Sequence, residues 1–310
     1  METTLNVLDR RDFCKLSSVV LSSYCLPSLV LAKNDKNKLI QKIIPASKLS
    51  IPVIGMGTWI TFNVGANRKL RDARTEVLKE FFKYGGALID SSPMYGSAQD
   101  VLGYGLKKIG YPKQLFAADK IWTSSTSEGV EQFKEMKDLW GLKKFSLVQV
   151  HNLLNWKAHL KRLRKLKSEG QVGHIGITTS HGRDHAELES IMKQEAIDFV
   201  QLTYNITHRQ VEDRLLSLAY DKGIAVIANR PYDGGDLMDK YKSSKLPPVA
   251  KEAGLKTWAE LFLKWVVSHP AITVAIPATS KVKHMQENMG ACRGQLLDEK
   301  QRQVIGKLFV

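Results

Sequence analysis

Ser146-Leu147-Val148-Gln149-Val150-His151 is a short run of branched apolar residues that ends on a titratable side chain. At this length, with β-branched residues and turn-forming neighbours, it reads as a buried strand rather than a helix segment. Similar runs occupy 53–57, 87–90, 115–120, 174–178, 199–202, 225–228 and 273–276. Longer amphipathic stretches separate them. Residues 70–84 place Val77, Leu78, Phe81 and Phe82 on one side of a 3.6-residue period. Residues 156–168 set Leu160, Leu163 and Leu166 against a face of lysine and arginine. Eight strand-like runs alternating with helices predict an α/β fold, a closed (β/α)8 TIM barrel, for which about 250 residues is typical. Residues 39–50 read as an N-terminal β-hairpin that closes the barrel bottom. A doubly wound sheet is disfavoured, because no Gly-x-Gly-x-x-Gly follows the first run. No repeat or low-complexity linker divides the chain, so one domain is expected over 33–310.

The first 32 residues read differently. Arg10, Arg11 and Lys15 precede a charge-free stretch, 16–32, that is interrupted by five serines and Pro27. That stretch is short for a membrane-spanning helix, which needs about 20 predominantly apolar residues. The order is that of an export signal: basic start, mild apolar middle, small-residue exit at Val30-Leu31-Ala32. Asp9-Arg10-Arg11-Asp12-Phe13-Cys14-Lys15 resembles the bacterial twin-arginine motif, which implies passage through twin-arginine export machinery and a periplasmic or otherwise exported protein. The alternatives are a chance Arg-Arg before a buried helix, which would leave the protein cytoplasmic, and an uncleaved anchor. Charges within 1–32 balance to zero, so the mature protein keeps the net +15 of the 310-residue chain. It also keeps a single cysteine, Cys292, expected to be a small buried hydrophobe. Three cysteines exclude a disulfide framework and a four-thiolate zinc site.

In a (β/α)8 barrel the strand C-termini face the active site. Those ends carry Asp90, Lys120 and His151 on three consecutive runs, and Tyr95 follows five residues after Asp90. A tyrosine beside an ammonium and a carboxylate suits proton donation. Its ordinary pKa of about 10 is high for neutral pH, and an adjacent cation is expected to lower it. Asp90 would keep Lys120 charged, and His151 would orient a reacting oxygen. No side chain here delivers a hydride, so a nicotinamide must supply it.

These residues resemble the aldo-keto reductase family. The resemblance is carried by Gly55-Met56-Gly57-Thr58-Trp59, Ile89-Asp90-Ser91-Ser92-Pro93-Met94-Tyr95-Gly96 and Asp119-Lys120-Ile121-Trp122. It continues through Val148-Gln149-Val150-His151-Asn152, Gly173-His174-Ile175-Gly176-Ile177 and Ile276-Pro277-Ala278-Thr279-Ser280 to Glu287-Asn288. The Val-Gln-Val-His-Asn and Ala-Asn-Arg-Pro stretches look most like the twin-arginine-exported bacterial branch. The resemblance implies an NADPH-dependent oxidoreductase that reduces aldehyde or ketone carbonyls on small molecules, with Tyr95 as general acid, tuned by Lys120 and Asp90, and with His151 orienting the substrate. It implies Gln201 at the nicotinamide carboxamide and Gly57, Thr58, Thr179, Asn229 and Arg230 along the cofactor. Ser280, Lys281, His284, Glu287 and Asn288 would take the adenosine end, and Trp59 and Trp122 would wall the substrate pocket. Asn229 stands where an aromatic often stacks on the nicotinamide, and Thr178-Thr179 replaces the usual Ser-Asn pair. His284 replaces an arginine that grips the 2′-phosphate, with Lys281 as a substitute charge, so NADPH is preferred and NADH remains possible.

Other readings are weaker. His181 and His185 have an i,i+4 spacing but no third ligand, so no metal is expected. Lys157, Lys161, Arg162, Arg164, Lys165 and Lys167 read as a solvated helix face, and neither nucleic acid nor a stable membrane anchor is expected as partner. A monomer is expected. The remaining alternative keeps the fold and drops turnover, leaving a nucleotide-holding binding or regulatory protein.

Overall fold

A computed structural model describes residues 38–309; the proposed export segment, with Arg10, Arg11, Cys14 and Cys25, lies outside the described residues. β1 (Gln41–Ile43) and β2 (Ser50–Pro52) pair antiparallel as a hairpin, in register Gln41 to Pro52. Eight strands follow in parallel: β3 (Met56–Gly57), β4 (Leu88–Asp90), β5 (Phe116–Ile121), β6 (Phe145–Val150), β7 (Val172–Thr178), β8 (Phe199–Thr203), β9 (Ala225–Asn229) and β10 (Ile272–Ala275). Bridges from Ile54 to Ala275 and from Gly57 to Ala278 join the last strand to the first, so the sheet closes as a barrel. At that seam a side chain on Gly57 would put its Cβ 2.9 Å from the Ile276 carbonyl oxygen, and on the β4 side one on Gly55 would reach 2.8 Å from that of Leu88. Close strand approach therefore favours glycine at both positions, and at the closing seam it does so at Gly57.

Helices alternate with the strands: α1 (Arg68–Lys83), α2 (Ala98–Ile109), α3 (Thr126–Trp140), α4 (Trp156–Ser168), α5 (His185–Gln194) and α6 (Leu215–Lys222). Then come α7 (Asp236–Tyr241), α8 (Pro248–Glu252), α9 (Trp258–Val267), α10 (Val282–Gly290) and α11 (Glu299–Gly306). The periodicities of 70–84 and 156–168 fall in α1 and α4, and the buried residues are those expected: Val77, Leu78, Phe81 and Phe82, then Leu160, Leu163 and Leu166. No helix of the described residues is long and apolar enough to cross a membrane.

Strand alternation sorts the core into two layers. Residues facing the barrel axis, among them Leu88, Ala118, Leu147, Phe199, Ala225, Ile227 and Val274, form one apolar cluster. Ile44 and Ile51 of the hairpin belong to that same cluster, so the hairpin plugs the barrel bottom. The opposite strand faces pack against the helices in a second, larger cluster that contains Cys292, which is fully buried. Above the inner apolar layer the axis-facing positions turn polar, with Asp90, Lys120, Gln149, Gln201 and Thr203 all buried. That switch marks the top of the barrel as the place for chemistry.

Candidate active site

A cavity of about 270 Å³ opens at the strand C-termini, lined by Gly57, Thr58, Trp59, Asp90, Tyr95 and His151 on one side. Thr178, Thr179, Gln201, Asn229, Arg230 and Pro277 line the other. Asp90 is the last residue of β4, Lys120 the penultimate residue of β5, and His151 directly follows β6. Their neighbouring strands bring the three together. Tyr95 arrives by a short 3-10 turn, Pro93–Tyr95, which Ser92 caps by accepting the Met94 amide at 3.2 Å. Gly96, at φ 60°, ends the turn and lets the chain leave the rim.

Lys120 is buried beneath the cavity. Its Nζ donates to Asp90 Oδ2 at 2.6 Å and to the Ser91 carbonyl at 2.7 Å, and it stands 5.3 Å from the centre of the Tyr95 ring. Burial opposes its charge, but the Asp90 carboxylate outweighs that, so the ammonium is held above its ordinary pKa. On the other face of β5, Asp119 is buried with Oδ2 accepting from Gln99 Nε2 and Trp140 Nε1 at 2.9 and 2.7 Å. Its Oδ1 accepts the Lys120 amide at 2.7 Å. Burial raises the Asp119 pKa to about 6.

Tyr95 departs from expectation. The adjacent ammonium was predicted to pull its pKa down, yet the phenol is pushed above 10: burial dominates, and the Asp90 and Asp119 charges add to it against Lys120. His151 packs edge-on to Tyr95, with ring centroids 5.9 Å apart. Burial, with Lys120 and Arg183 nearby, lowers its pKa to about 2, so the imidazole is neutral in any ordinary buffer. Its Nδ1 lies 2.8 Å from Ser92 Oγ, which leaves Nε2 as the nitrogen free for the cavity. Ser92 therefore ties His151 and the Tyr95 turn to one hydroxyl. Ser92 belongs to the Ile89–Gly96 motif, and its place two residues past the strand-end aspartate is the signal in the sequence for this role.

The cofactor candidates divide. Gln201 Nε2 and Thr179 Oγ1 are buried at the cavity wall; among the described residues Thr179 Oγ1 has no hydrogen-bond partner, and Gln201 makes only a loose contact with the Asp90 carboxylate, whose charge it helps stabilise. Two incompletely satisfied polar groups lining one cavity suit a polar ligand, and a nicotinamide carboxamide, donor and acceptor in one plane, fits them. Gly57, Gly234 and Gly235 bring bare backbone to the same cavity. Thr58 is buried and turned to the framework, its Oγ1 3.0 Å from both the Asp90 carbonyl and Ser91 Oγ. Asn229 is engaged likewise, donating to the Thr179 carbonyl and accepting from Thr203. It fixes the orphaned threonine in place. Arg230, at φ 51°, bonds His181 at 3.0 Å and Asp233 at 3.4 Å.

Several candidates lie outside this cavity. Ser280, Lys281, His284, Glu287 and Asn288 sit at and along α10 and do not line it. Tyr232 links the two regions: it lines the cavity and donates to Asn288 Oδ1 at 2.6 Å, leaving Asn288 Nδ2 buried and unpaired. Trp59 lines the cavity. Trp122 does not. β5 runs on to Ile121, so Trp122 emerges exposed on the rim, its backbone held by Gln132. Ile60, a β-branched residue at φ 61°, lines the mouth instead. A wider, shallow depression of about 750 Å³ involves Pro45, Lys48, Arg164 and Lys167, away from these groups. Two of its cations are already paired, Arg164 with Glu195 and Lys167 with Asp198.

The aldo/keto reductase family model matches residues 53–308. Methylglyoxal reductase YeaE of Escherichia coli is 24% identical over 264 residues, covering 83% of this chain and 91% of the relative. Pyridoxine 4-dehydrogenase of the same organism is 34% identical over 143 residues, covering 46% and 47%. Among solved structures, an aldo/keto reductase from Klebsiella pneumoniae in complex with NADP and acetate superposes with TM-score 0.72 at 21% identity, over 84% of this chain and 93% of that one. The holo form of aldo-keto reductase AKR11C1 from Bacillus halodurans gives 0.73 at 19%, over 87% and 96%. At these identities the superpositions establish the fold.

Proposed function

Because the chain belongs to the aldo/keto reductase family, we propose that it reduces aldehyde or ketone carbonyls to alcohols, using NADPH in preference to NADH. One observation carries the reading: Tyr95 and His151 face a cavity that Gln201 and the unpaired Thr179 also line, with the Lys120–Asp90 pair buried beneath. When bound, the nicotinamide supplies the hydride. Everything else is done by the chain. Gln201 and Thr179 seat the carboxamide. His151, neutral and anchored through Nδ1, presents Nε2–H to the carbonyl oxygen and so fixes its orientation. Tyr95 gives its proton to that same oxygen as negative charge develops there. Lys120, kept charged by Asp90, stabilises the phenolate left behind.

Lys281, exposed at the start of α10 with His284 one turn on, supplies positive charge suited to a 2′-phosphate. The two Escherichia coli relatives are named for small carbonyl or alcohol substrates, which supports a small-molecule substrate here. Twin-arginine export to the periplasm remains our reading of residues 1–32, supported by the Arg10-Arg11 motif and the charge-free stretch after it. Following nicotinamide absorbance with an aldehyde panel tests the reductase reading. Multiple turnovers are expected, lost in Tyr95→Phe; binding of NADPH without any turnover would replace the enzyme with a nucleotide-holding protein. Mass spectrometry of the secreted form is expected to show a chain starting near Lys33, and an intact N-terminus would refute export by cleavage.

A further inference from the structure

Three cations stand at or beneath the cavity, and two of them are held in ion pairs. Lys120 lies 2.6 Å from Asp90, and Arg230 lies 3.4 Å from Asp233. The third, Arg183, also lines the cavity, but it forms no ion pair among the described residues. Its Nε and Nη2 reach back to the Ser180 carbonyl and hydroxyl at 3.3 and 3.4 Å. Those contacts orient the guanidinium without neutralising it. Asp233, a nearby carboxylate, is engaged by Arg230 at 3.4 Å, and Asp184, next to Arg183 in the chain, is exposed and forms no ion pair with it.

The loop that presents Arg183 is built at a cost. His181, Gly182 and Asp184 hold φ of 61°, 66° and 56°, a left-handed conformation that histidine and aspartate adopt less readily than glycine. His181 is fixed from both sides, accepting the Arg230 guanidinium and standing edge-on to Trp59 at 6.4 Å. Its backbone amide donates to Thr203 Oγ1 at 2.9 Å. The charge of Arg183 also reaches inward, since it helps keep both His151 and His181 neutral. Across the mouth, Trp59, Ile60 and Met94 form an apolar wall. A substrate held here meets apolar carbon on one side and an uncompensated guanidinium on the other.

We propose that the preferred substrates are carbonyl compounds bearing an anionic group, a carboxylate or phosphate, which Arg183 grips while Tyr95 and His151 hold the carbonyl oxygen. This rests on the reductase reading and names its substrate class. Arginine matches such oxyanions with paired, charge-assisted hydrogen bonds.

The test compares matched aldehydes with the full-length protein and NADPH: 4-carboxybenzaldehyde against 4-formylbenzamide, and glyceraldehyde 3-phosphate against glyceraldehyde. The anionic member is expected to have the higher kcat/KM by about tenfold or more in at least one pair. Which pair shows it separates carboxylate from phosphate recognition. In Arg183→Gln that preference collapses, with the loss carried by the KM of the anionic substrate, and added salt erodes it in the wild type. Equal kcat/KM within both pairs would overturn the proposal. So would an Arg183→Gln loss of equal size for neutral and anionic substrates, or a loss carried by the KM for NADPH. Benzoate against benzamide, titrated by tryptophan fluorescence, gives a readout free of turnover. Arg183-dependent benzoate binding in a protein that turns over no aldehyde would sink the reductase reading and leave the anion site standing. Turnover of the neutral aldehydes with no anion preference sinks the anion site alone.

Discussion

Ser92→Ala removes one hydroxyl that serves two catalytic groups. Its Oγ lies 2.8 Å from His151 Nδ1 and accepts the Met94 amide at 3.2 Å, the bond that caps the turn carrying Tyr95. Ser92 and His151 are both buried, so no water takes over at Nδ1 without rearrangement. Leaving a buried acceptor unpaired costs about 1–3 kcal/mol, and the neutral turn bond adds about 1 kcal/mol. Part of that is lost as folding stability. The remainder, about 2–3 kcal/mol of lost orientation at the carbonyl oxygen, corresponds to a fall in kcat/KM of roughly 30- to 150-fold. The assay is steady-state reduction of a neutral aldehyde, with the KM for NADPH measured alongside. The fall is expected in kcat, because orientation of the reacting oxygen matters most in the transition state. Ser92→Thr, which restores a hydroxyl, should recover part of the loss, and nitrogen NMR of the imidazole should show a mixed tautomer in the alanine variant only. A Ser92→Ala protein that keeps kcat/KM within about twofold of wild type would refute the linkage between this hydroxyl and the site.

The pH profile of kcat/KM should show no acidic limb from His151 between about pH 5 and 9, because its pKa of about 2 keeps it neutral throughout; an apparent pKa near 6 that vanishes in His151→Gln would contradict this. Asp119 is fully buried with its pKa raised from 3.8 to about 6, so the folded state holds the proton more tightly than the unfolded one. Its contribution is fully present below pH 3.8 and is lost as pH rises through about 6, worth about 3 kcal/mol across that window. Urea unfolding at several pH values should show wild type gaining that increment relative to Asp119→Asn on acidification, and parallel curves would refute it. In Gly103→Ala the new methyl would sit 1.8 Å from the Leu139 carbonyl oxygen, where α2 crosses α3. A loss of about 3 kcal/mol, or roughly 5–10 °C in Tm, is expected, and an unchanged Tm would show that these helices part freely.

The barrel was legible because its strands announce themselves twice, by branched apolar content and by a polar residue where each meets the active face. Asp90, Lys120 and His151 were read from that rule alone, and β4, β5 and β6 bring them together. Boundaries were softer: the first run shrinks to Met56–Gly57 because Ile54 makes only a single bridge to Ala275. Side-chain partnerships were not legible at all. Asn229 and Thr58 sit beside the cavity in sequence and in space, yet their polar atoms are bonded to the framework, and spacing carries no record of that. The same limit hid Ser92 and the loop around Arg183, whose left-handed backbone at His181 and Asp184 leaves no signature in composition.

The sign of the Tyr95 shift bears on how the site works. The simplest chemistry places a cation by the phenol so that it ionises more easily, and composition alone favours that reading. Burial reverses the outcome, since Lys120 is itself held in an ion pair with Asp90, and Asp119 stands behind it. The phenol therefore keeps its proton at neutral pH. A general acid must be protonated when the substrate arrives and must give up the proton only to an oxygen that has become basic. A free phenolate would be useless for reduction and would repel an anionic substrate drawn by Arg183. In this arrangement Lys120 acts late: its charge contributes little while the tyrosine is neutral and stabilises the phenolate once the proton has moved. The oxidative direction makes the opposite demand, because a base must be free before the alcohol binds. A tyrosine held above pKa 10 is then the wrong form below that pH. Reduction consumes a proton, so the two directions must diverge about tenfold per pH unit, and the pKa of Tyr95 decides which of them carries the change. With the phenol held above 10, alcohol oxidation should climb into alkaline pH while reduction stays flat. A reduction rate that already falls between about pH 7 and 9 would show that burial does not set the protonation of Tyr95.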